Sequence, residues 1–280
     1  MTTLQNKIDF AVILRVIHAN PNGDPLNGNR PRIDYPGFGE ITDVCLKRKM
    51  RDRLAESGQA IFVQSDDRKN DDAKSLRDRG EKALGNKFGS SEMAKLASKT
   101  WFDVRAFGQL FALSRKRKAK GADEDGDTGI SIGVRGPVTV QSAFSIEPVE
   151  VTSTQITKSV SGEGDGSRRG SDTMGMKHRV DKGIYLFFGS MNPQLAERTG
   201  FSDEDAETIK AVLPRLFEND AASGRPDGSM EVLKVFWWKH NSKAGQYSSA
   251  KVHRSLQVQP DGTYTLEQIP RLDAEEIDGF

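Results

Sequence analysis

Five cations within seven positions form the most concentrated chemical feature of the sequence. They are Lys47, Arg48, Lys49, Arg51 and Arg53. Ammonium and guanidinium groups donate charge-assisted hydrogen bonds to phosphate oxygens, so a phosphate-bearing ligand fits them. Asp43 and Asp52 are too few to neutralise all five. The pattern predicts a strongly positive helix face that binds phosphates; the simpler interpretation is a face that only meets solvent.

An asparagine-rich loop, N-P-N-G-D-P-L-N-G-N-R-P over 20–31, precedes these cations. Its prolines and glycines exclude regular structure, and its Asn and Asp side chains supply turn hydrogen bonds. Backbone amides, the side chains of Asn22, Asn27 and Asn29, and the Arg30 guanidinium could converge with the basic helix on phosphates. The loop therefore belongs to the same candidate site.

A second group of cations lies in a polar, glycine-rich stretch between Pro148 and Ile184. It comprises Arg168, Arg169, Lys177, His178 and Arg179, with Met174 and Met176 among them. A methionine in such a segment is poorly placed for a core, whereas it suits an apolar wedge between nucleic-acid bases.

A third basic segment, 234–254, holds five Lys or Arg residues, Lys243 among them, two histidines and no acid. Trp237 and Trp238 resemble partners for base stacking. Their position inside an apolar strand predicts instead that at least one of them belongs to the core.

Signatures of catalysis are nearly absent. Gly162, Gly164 and Gly166 form a G-x-G-x-G, but no apolar strand leads directly into it, so we interpret it as a hairpin tip. His18 could act as a general base, although a hydrogen-bonded structural histidine is the simpler interpretation. Cys45 is the single cysteine and the histidines have no metal-ligand spacing. The sequence predicts no enzymatic activity, no cofactor, no metal and a reducing compartment.

The net charge is close to zero, because 41 Lys and Arg residues oppose 40 Asp and Glu residues. The two signs are segregated: 115–120 and 234–254 hold ten cations and no acid, whereas 123–127, 203–207 and 273–278 hold twelve acids and no cation. We interpret the acidic blocks as contacts with basic blocks of another copy. Apolar runs are far shorter than the roughly 20 residues of a membrane span, so we expect a cytoplasmic protein without a membrane partner.

The elements that position these residues follow from apolar periodicity. Residues 8–17 predict a central strand buried on both faces, and Thr42 and Asp43 offer N-cap chemistry for a helix over 43–55. A second strand is expected at 60–64, followed by a mostly helical insertion over 66–100. Asp103 is expected to cap a helix that continues through Phe111.

Strand patterns return in the second half of the chain. Strands are predicted at 130–134, 138–140, 144–146, 232–238 and 256–266, with a long projecting hairpin between Pro148 and Ile184. Ser202 and Asp205 resemble a capping box, and Pro214 is expected to kink or split the helix that follows.

Several segments carry a resemblance to a known family. They are N-P-N-G-D-P-L-N-G-N-R-P-R-I-D (20–34), T-D-V-C-L-K-R-K-M-R (42–51), D-V-R-A-F-G (103–108), R-G-P-V-T-V (135–140), T-M-G-M-K-H (173–178), T-G-F-S-D-E-D (199–205) and K-H-N-S-K-A-G (239–245). With these segments the chain, to about residue 256, resembles the type I-C Cascade backbone subunit, a CRISPR-associated protein of the RAMP superfamily.

The resemblance implies an α+β fold: a single domain over 1–280 with a modified RRM-like (ferredoxin-like) antiparallel palm, a helical fingers insertion at 66–120 and a β-hairpin thumb at 150–182. It implies a non-catalytic subunit that polymerises along a crRNA guide as a helical filament, with other Cascade subunits, and presents the guide to target DNA. The implied RNA-binding residues are Asn20, Asn22, Asn27, Arg30, Lys47, Arg48, Arg51, Arg168, Arg169, Met174, Met176, Lys177, His178, Arg179 and Lys243. Base pairing would carry the sequence specificity.

Two alternatives remain open. Other RAMP proteins cut CRISPR repeat RNA without a metal, and a solitary RNA-binding module would bind RNA without polymerising. The charged segment 115–127 and the residues after 256 match no motif of the family, so no role is transferred to them.

Overall fold

The chain folds around one large antiparallel sheet. A computed structural model describes residues 2–113, 130–159 and 174–280. The strands are β1 (Ile8–Ala19), β2 (Gly23–Asp24), β3 (Arg30–Pro31), β4 (Phe38–Ile41), β5 (Gly108–Leu113), β6 (Ile130–Arg135), β7 (Val138–Val140), β8 (Ala143–Pro148), β9 (Val151–Thr157), β10 (Met174–Met191), β11 (Met230–Lys239), β12 (Leu256–Val258), β13 (Tyr264–Leu266) and β14 (Ala274–Asp278). The helices are α1 (Asp43–Glu56), α2 (Leu76–Leu84), α3 (Met93–Thr100), α4 (Phe102–Phe107), α5 (Pro193–Thr199), α6 (Asp203–Val212) and α7 (Ser249–Arg254). The fold is mixed α+β, as the sequence predicts.

Strand β1 lies at the centre of the sheet, between β10 and β11 and antiparallel to both. The sheet has the order β14-β11-β1-β10-β8-β4, and β7 and β9 pair with other parts of β10. Strand β10 is 18 residues long. Its first six residues pair only with β9, so this part of the strand extends beyond the end of β1. The prediction of a central strand at 8–17 is confirmed.

Side chains of β1 alternate between two hydrophobic cores, as the period of two in a strand requires. Phe10 and Val12 face a core that includes Leu46 and Met50 of α1. Ala11 and Ile13 face a second core formed with Val252 of α7 and the chain that follows it. The sheet is therefore covered on both faces, and α1 and α7 lie on opposite sides of it.

Local end signals define two helices as predicted. The Thr42 side chain accepts a hydrogen bond from the Cys45 amide at the start of α1. The Ser202 and Asp205 side chains form a reciprocal capping box at the start of α6. Helix α6 ends at Val212, and a 3-10 turn over Leu213–Arg215 contains Pro214. A proline cannot continue an α-helical hydrogen-bond ladder, which explains the change.

The predicted strand at 60–64 is wrong, although Phe62 is buried as that pattern suggests. The amides of Phe62 and Val63 donate to the Asp103 carboxylate at 2.7 and 3.0 Å instead of joining a ladder. Asp103 therefore does not cap a helix either. It lies in the first turn of α4 and satisfies the backbone of a remote segment.

The predicted helix over 103–111 stops early. Helix α4 ends at Phe107, and Gly108 begins β5 with a φ of 81°. A Cβ on Gly108 would lie 2.4 Å from the Val134 carbonyl oxygen, so the chain requires glycine there. Leu110 and Phe111, which continue the helical spacing in the sequence, belong to a two-stranded ladder with β6.

The C-terminal region also differs from the prediction. The strands at 256–258 and 264–266 pair with each other rather than with the main sheet. The edge of the sheet beyond β11 is β14, in the acidic segment for which no strand was predicted. The strands at 130–135, 138–140 and 143–148 agree with expectation, as does the burial of Trp237 and Trp238, which are 2% and 1% exposed.

Candidate nucleic-acid interface

The asparagine-rich loop leaves the end of β1 and is held by its own side chains. Asn20 is buried, and its amide donates to the Asn29 carbonyl oxygen at 2.7 Å. The Asn22 side-chain oxygen accepts hydrogen bonds from the backbone and hydroxyl of Thr42. The Asn20 amide thus closes the loop on itself, and the Asn22 amide joins the loop to the start of α1. Asn27 and Arg30 are exposed and can reach a ligand.

The strongly positive helix face predicted for α1 is wrong, because every one of its five cations pairs with an acid. The pairs are Lys47 with Asp43, Arg48 with Asp52 and Asp67, Lys49 with Asp220, Arg51 with Asp103, and Arg53 with Glu56. The side chains of Lys49 and Arg53 are only 3% and 4% exposed. Burial lowers the pKa of Lys49 from its ordinary value, and Asp220 opposes that shift.

Arg51 is positioned as a structural residue. Its Nε donates to Asp103 at 3.0 Å, its guanidinium lies over the Phe107 ring, and its side chain is 13% exposed. Lys47 and Arg48 have 23% and 49% of their side chains exposed and pair with partly exposed acids. Such pairs exchange readily for contacts with phosphate.

Lys47 borders a cleft of about 750 Å³ between α1 and strands β5, β6 and β7. The same cleft is lined by Arg135, which is exposed and pairs with no acid in the described ranges. Gly108, Gly133 and Gly136 leave part of its wall without side chains, so a ligand can approach the backbone there. Arg135 begins the segment R-G-P-V-T-V, but it was not among the predicted site residues because a lone cation has no pattern around it.

The described part of the predicted hairpin is a two-stranded ladder between β9 and β10, in register from Met174 opposite Thr157 to Val180 opposite Val151. Alternation along β10 gives it two chemically different faces. Met174 and Met176, 65% and 55% exposed, share one face with His178. Lys177 and Arg179 are exposed on the other face.

His178 is the least accessible of these residues, with 9% of it exposed. Its Nδ1 lies 2.8 Å from the Ser153 hydroxyl of β9, so the imidazole ties the two strands together. Arg179 lies 3.5 Å from Asp181. Met174, Met176 and Lys177 remain the residues of this hairpin that are freest to meet a ligand.

Lys243 lies at the opposite end of the sheet from the asparagine-rich loop. The chain around it is anchored to the start of β1, since the Lys7 amide donates to the Ser242 carbonyl and the His240 amide donates to the Lys7 carbonyl. The span of β1, 12 residues, separates the two ends by roughly 40 Å. Lys243 also pairs with Glu197 at 2.6 Å. The structure therefore does not bring Lys243 together with the other candidate residues.

A buried polar cluster holds this region. The Asp9 carboxylate, fully buried, lies 2.9 Å from His240 Nε2, 3.0 Å from Lys7 Nζ and 3.5 Å from His253 Nε2. Burial alone would raise the pKa of Asp9, but hydrogen bonding to His240, His253, Ser249 and Lys7 outweighs it and lowers the pKa. Two of the four histidines thus fasten the C-terminal segment to β1.

The remaining predicted features divide into three cases. His18 is exposed with a φ of 50° and makes no side-chain hydrogen bond within the described chain, so it is not the structural histidine expected. Arg168, Arg169, the G-x-G-x-G at 162–166 and the charged segment 115–127 lie outside the described residues. Across residues 2–113, 130–159 and 174–280 no three His, Cys, Asp or Glu side chains are grouped to hold a metal ion, and no helix is long and apolar enough to cross a membrane.

The fold and these surfaces define a mixed α+β protein with exposed cations and methionines near one end of a large antiparallel sheet. Residues 6–277 match the family model of CRISPR-associated protein Cas7. A CRISPR-associated protein Cas7 from Haloferax volcanii is 29% identical over 287 residues, which cover 96% of this chain and 80% of that protein. The chain belongs to the Cas7 family.

Two solved structures are also similar. A chain of a CRISPR RNA-guided surveillance complex described as pre-nicking matches with a TM-score of 0.48 and 16% identity, over 83% of this chain and 75% of that one. A chain of another CRISPR RNA-guided surveillance complex matches with a TM-score of 0.45 and 17% identity, over 92% of this chain and 77% of that one.

Proposed function

We propose that this Cas7 protein is the crRNA-binding backbone subunit of a type I-C Cascade surveillance complex. In this role several copies assemble along the guide RNA, with other Cascade subunits, and present it to complementary DNA. The protein is a scaffold and carries out no catalysis. It acts in the cytoplasm, where guide and target meet.

The observation that carries the proposal is the arrangement at one end of the sheet. The β9–β10 hairpin extends beyond Ala19, the last residue of β1, and the asparagine-rich loop begins at Asn20. Exposed methionines on one hairpin face and exposed cations on the other therefore lie near the loop that leads into α1. A polyanion with stackable bases fits this combination, because cations hold phosphates and an apolar side chain can enter a base step.

The sheet order supports an RRM-like palm. Strands β11, β1, β10 and β8 are adjacent in that order, with α1 after β1 and α6 before β11. Along the chain these elements follow one another as β1, α1, β8, β10, α6 and β11, which is the order of a β-α-β-β-α-β unit. In the same proposal, 66–120 forms the fingers and 150–182 the thumb, as insertions into one domain; within these ranges, 114–120 and 160–173 lie outside the described residues.

Charge reversal of the two accessible palm cations tests the RNA contact. Lys47→Glu with Arg48→Glu should abolish protection of guide-length RNA from nuclease, while the fold is retained because both side chains are partly exposed. The slope of log affinity against log salt should fall by roughly 0.7 for each phosphate that the variant no longer binds. The matched control is Lys251→Glu with Arg254→Glu, two exposed cations of α7 on the other sheet face.

Wild-type protection and salt dependence in the palm variant would contradict the RNA contact. Incubation with CRISPR repeat RNA in EDTA tests the non-catalytic role. Cleavage products that disappear in His18→Ala or His178→Ala would identify a metal-independent nuclease instead.

A further inference from the structure

A second cleft lies on the side of the molecule where α3 and β6 face α5 and the start of α6. Its volume is about 1040 Å³. Five cations contribute to its wall. Arg105 pairs with Asp205, and the other four are Lys95, Lys99, Arg135 and Arg198. None of them belongs to the basic segments singled out in the sequence, because each is isolated or separated by apolar residues along the chain.

These four cations differ from those of α1 in having no acidic partner. All four are exposed, and none forms an ion pair within the described ranges. The cleft also contains the acids Glu197, Glu204 and Asp205, but two of them are engaged. Glu197 pairs with Lys243, and Asp205 accepts two hydrogen bonds from Arg105. Five cations and three acids line the cleft, so it carries an excess of positive charge.

The clustering of these cations opposes the stability of the isolated chain. Lys95 and Lys99 are four residues apart on α3 and share one helix face, where like charges repel. Arg198 of α5 and Arg135 of β6 face the same cleft. A bound polyanion would remove this repulsion.

An unpaired hydroxyl is a second, independent feature of the wall. Thr199 is 7% exposed, and its Oγ1 has no hydrogen-bond partner among the described residues. Buried polar atoms without a partner are uncommon in native proteins. Thr199 follows Arg198 directly, and both residues line the cleft.

The second cleft adjoins the cleft beside Lys47, since Gly133, Val134 and Arg135 line both. Arg135 therefore lies between Lys47 on one side and Lys95 and Lys99 on the other. We propose that the cleft of Lys95, Lys99, Arg135 and Arg198 binds the phosphodiester backbone of a nucleic-acid strand. The proposal extends the proposed function, because it assigns nucleic-acid contacts to a side of the chain remote from the hairpin.

The test compares two triple variants of the full-length chain assembled with its guide RNA. The first is Lys95→Gln, Lys99→Gln, Arg198→Gln. The control is Lys251→Gln, Arg254→Gln, Arg271→Gln, three exposed cations of the C-terminal segment that covers the other sheet face. Three probes are used: guide RNA, a complementary single-stranded DNA added to the guide-loaded protein, and a random-sequence single-stranded oligonucleotide.

The cleft variant should lose at least tenfold in affinity at about 0.1 M salt, and its salt slope should fall by up to roughly 2, since each single-strand phosphate contact contributes roughly 0.7. The control should stay near wild type. Loss for the guide RNA identifies the guide as the bound strand, and loss only for the complementary DNA identifies the target strand; both support the site.

Two outcomes overturn it. One is unchanged affinity and salt slope of the cleft variant for all three probes. The other is a cleft variant that binds all three probes normally but forms a particle of lower mass with the guide RNA. That result would show that the cleft binds an acidic segment of a protein rather than a nucleic acid. If the wild type fails to protect the guide, the proposed function fails, and the random-sequence oligonucleotide still decides whether the cleft binds phosphates.

Discussion

Arg51 and Lys47 lie one turn apart on α1, yet their roles differ: Arg51 is structural, whereas Lys47 borders the cleft. Removing the Arg51 guanidinium leaves the Asp103 carboxylate, 1% exposed, without its cation. Breaking a buried ion pair costs about 3 kcal/mol, so Arg51→Ala should lower the free energy of unfolding by about that amount. Lys47→Ala should cost less than about 0.5 kcal/mol, because its pair is exposed. Urea unfolding measures both.

An equal loss of stability in the two variants would contradict this division. The structural role of Arg51 also determines how RNA binding must be tested. A variant that reverses the charges of Lys47, Arg48 and Arg51 together would lose RNA because the protein unfolds. The sequence could not separate these residues, because the partners Asp103, Asp67 and Asp220 are remote along the chain.

Asp9 gives the chain a predicted sensitivity to acid. Its pKa is lowered in the folded protein, so its contribution to stability is fully present above the ordinary Asp pKa of about 4 and is lost as the pH falls below it. Between about pH 4 and 3, the unfolding free energy of Asp9→Asn should fall less steeply with pH than that of the wild type. The two slopes should differ by up to about 1.4 kcal/mol per pH unit. Urea unfolding over this range, with exposed Asp227→Asn as the control, is the measurement. Equal slopes for wild type and Asp9→Asn would contradict the prediction.

At the scale of elements, Gly108 ends α4 and begins β5. Gly108→Ala places a Cβ 2.4 Å from the Val134 carbonyl oxygen at a φ of 81°, so we expect a loss of about 2 kcal/mol or more in unfolding free energy. Gly133→Ala, across the same ladder, is the matched control, since its Cβ would only touch Leu110 at 4.0 Å. Thermal or urea unfolding compares them, and a tolerated Gly108→Ala would show that the backbone can shift there.

Elements with local signals were predictable and those that depend on remote groups were not. Strand β1, helix α1 and the Ser202 capping box follow from periodicity and cap residues within a few positions. The segment at 60–64 failed because a side chain 40 residues away takes the place of a neighbouring strand. In the candidate site, the methionines were identified correctly as exposed, whereas the unpaired Arg135 has no pattern around it that marks it.

The hairpin supports a prediction about base displacement. Met174 and Met176 lie on the same face, so either can enter a base step, and a glycine in its place removes the wedge. If successive copies along the guide each displace a base, the displaced bases are reactive at regular intervals. We expect Met174→Gly or Met176→Gly to abolish this periodic reactivity in a chemical map of the bound guide, with RNA affinity largely retained. Ile156→Gly, an exposed apolar residue on the opposite face, is the control and should leave the map unchanged. A periodic map that survives both methionine variants would exclude the wedge.

At the scale of the whole molecule, the segregated charges are partly accounted for within one chain. Acids of the C-terminal block pair with Lys210 and Lys234 across the sheet edge, and Asp205 pairs with Arg105. Glu275 and Asp278 nevertheless keep 56% and 83% of their side chains exposed, so contact of this block with basic segments of a neighbouring copy stays a prediction. The near-zero net charge does not weigh against nucleic-acid binding, because Lys95, Lys99, Arg135 and Arg198 line one cleft without forming an ion pair within the described ranges.

Growth along RNA is the prediction that belongs to the assembled protein. Contacts between copies that do not close on themselves give an open filament, so the length of the RNA must end it. With protein in excess, the particle mass should rise in steps of one 30.9 kDa chain plus its share of RNA as the guide is lengthened. Mass measurement on guides of increasing length checks this, with Lys47→Glu, Arg48→Glu as the variant that should not assemble. A single copy on every guide would indicate a solitary RNA-binding module, and a fixed larger mass would indicate a closed ring; either result would contradict the filament.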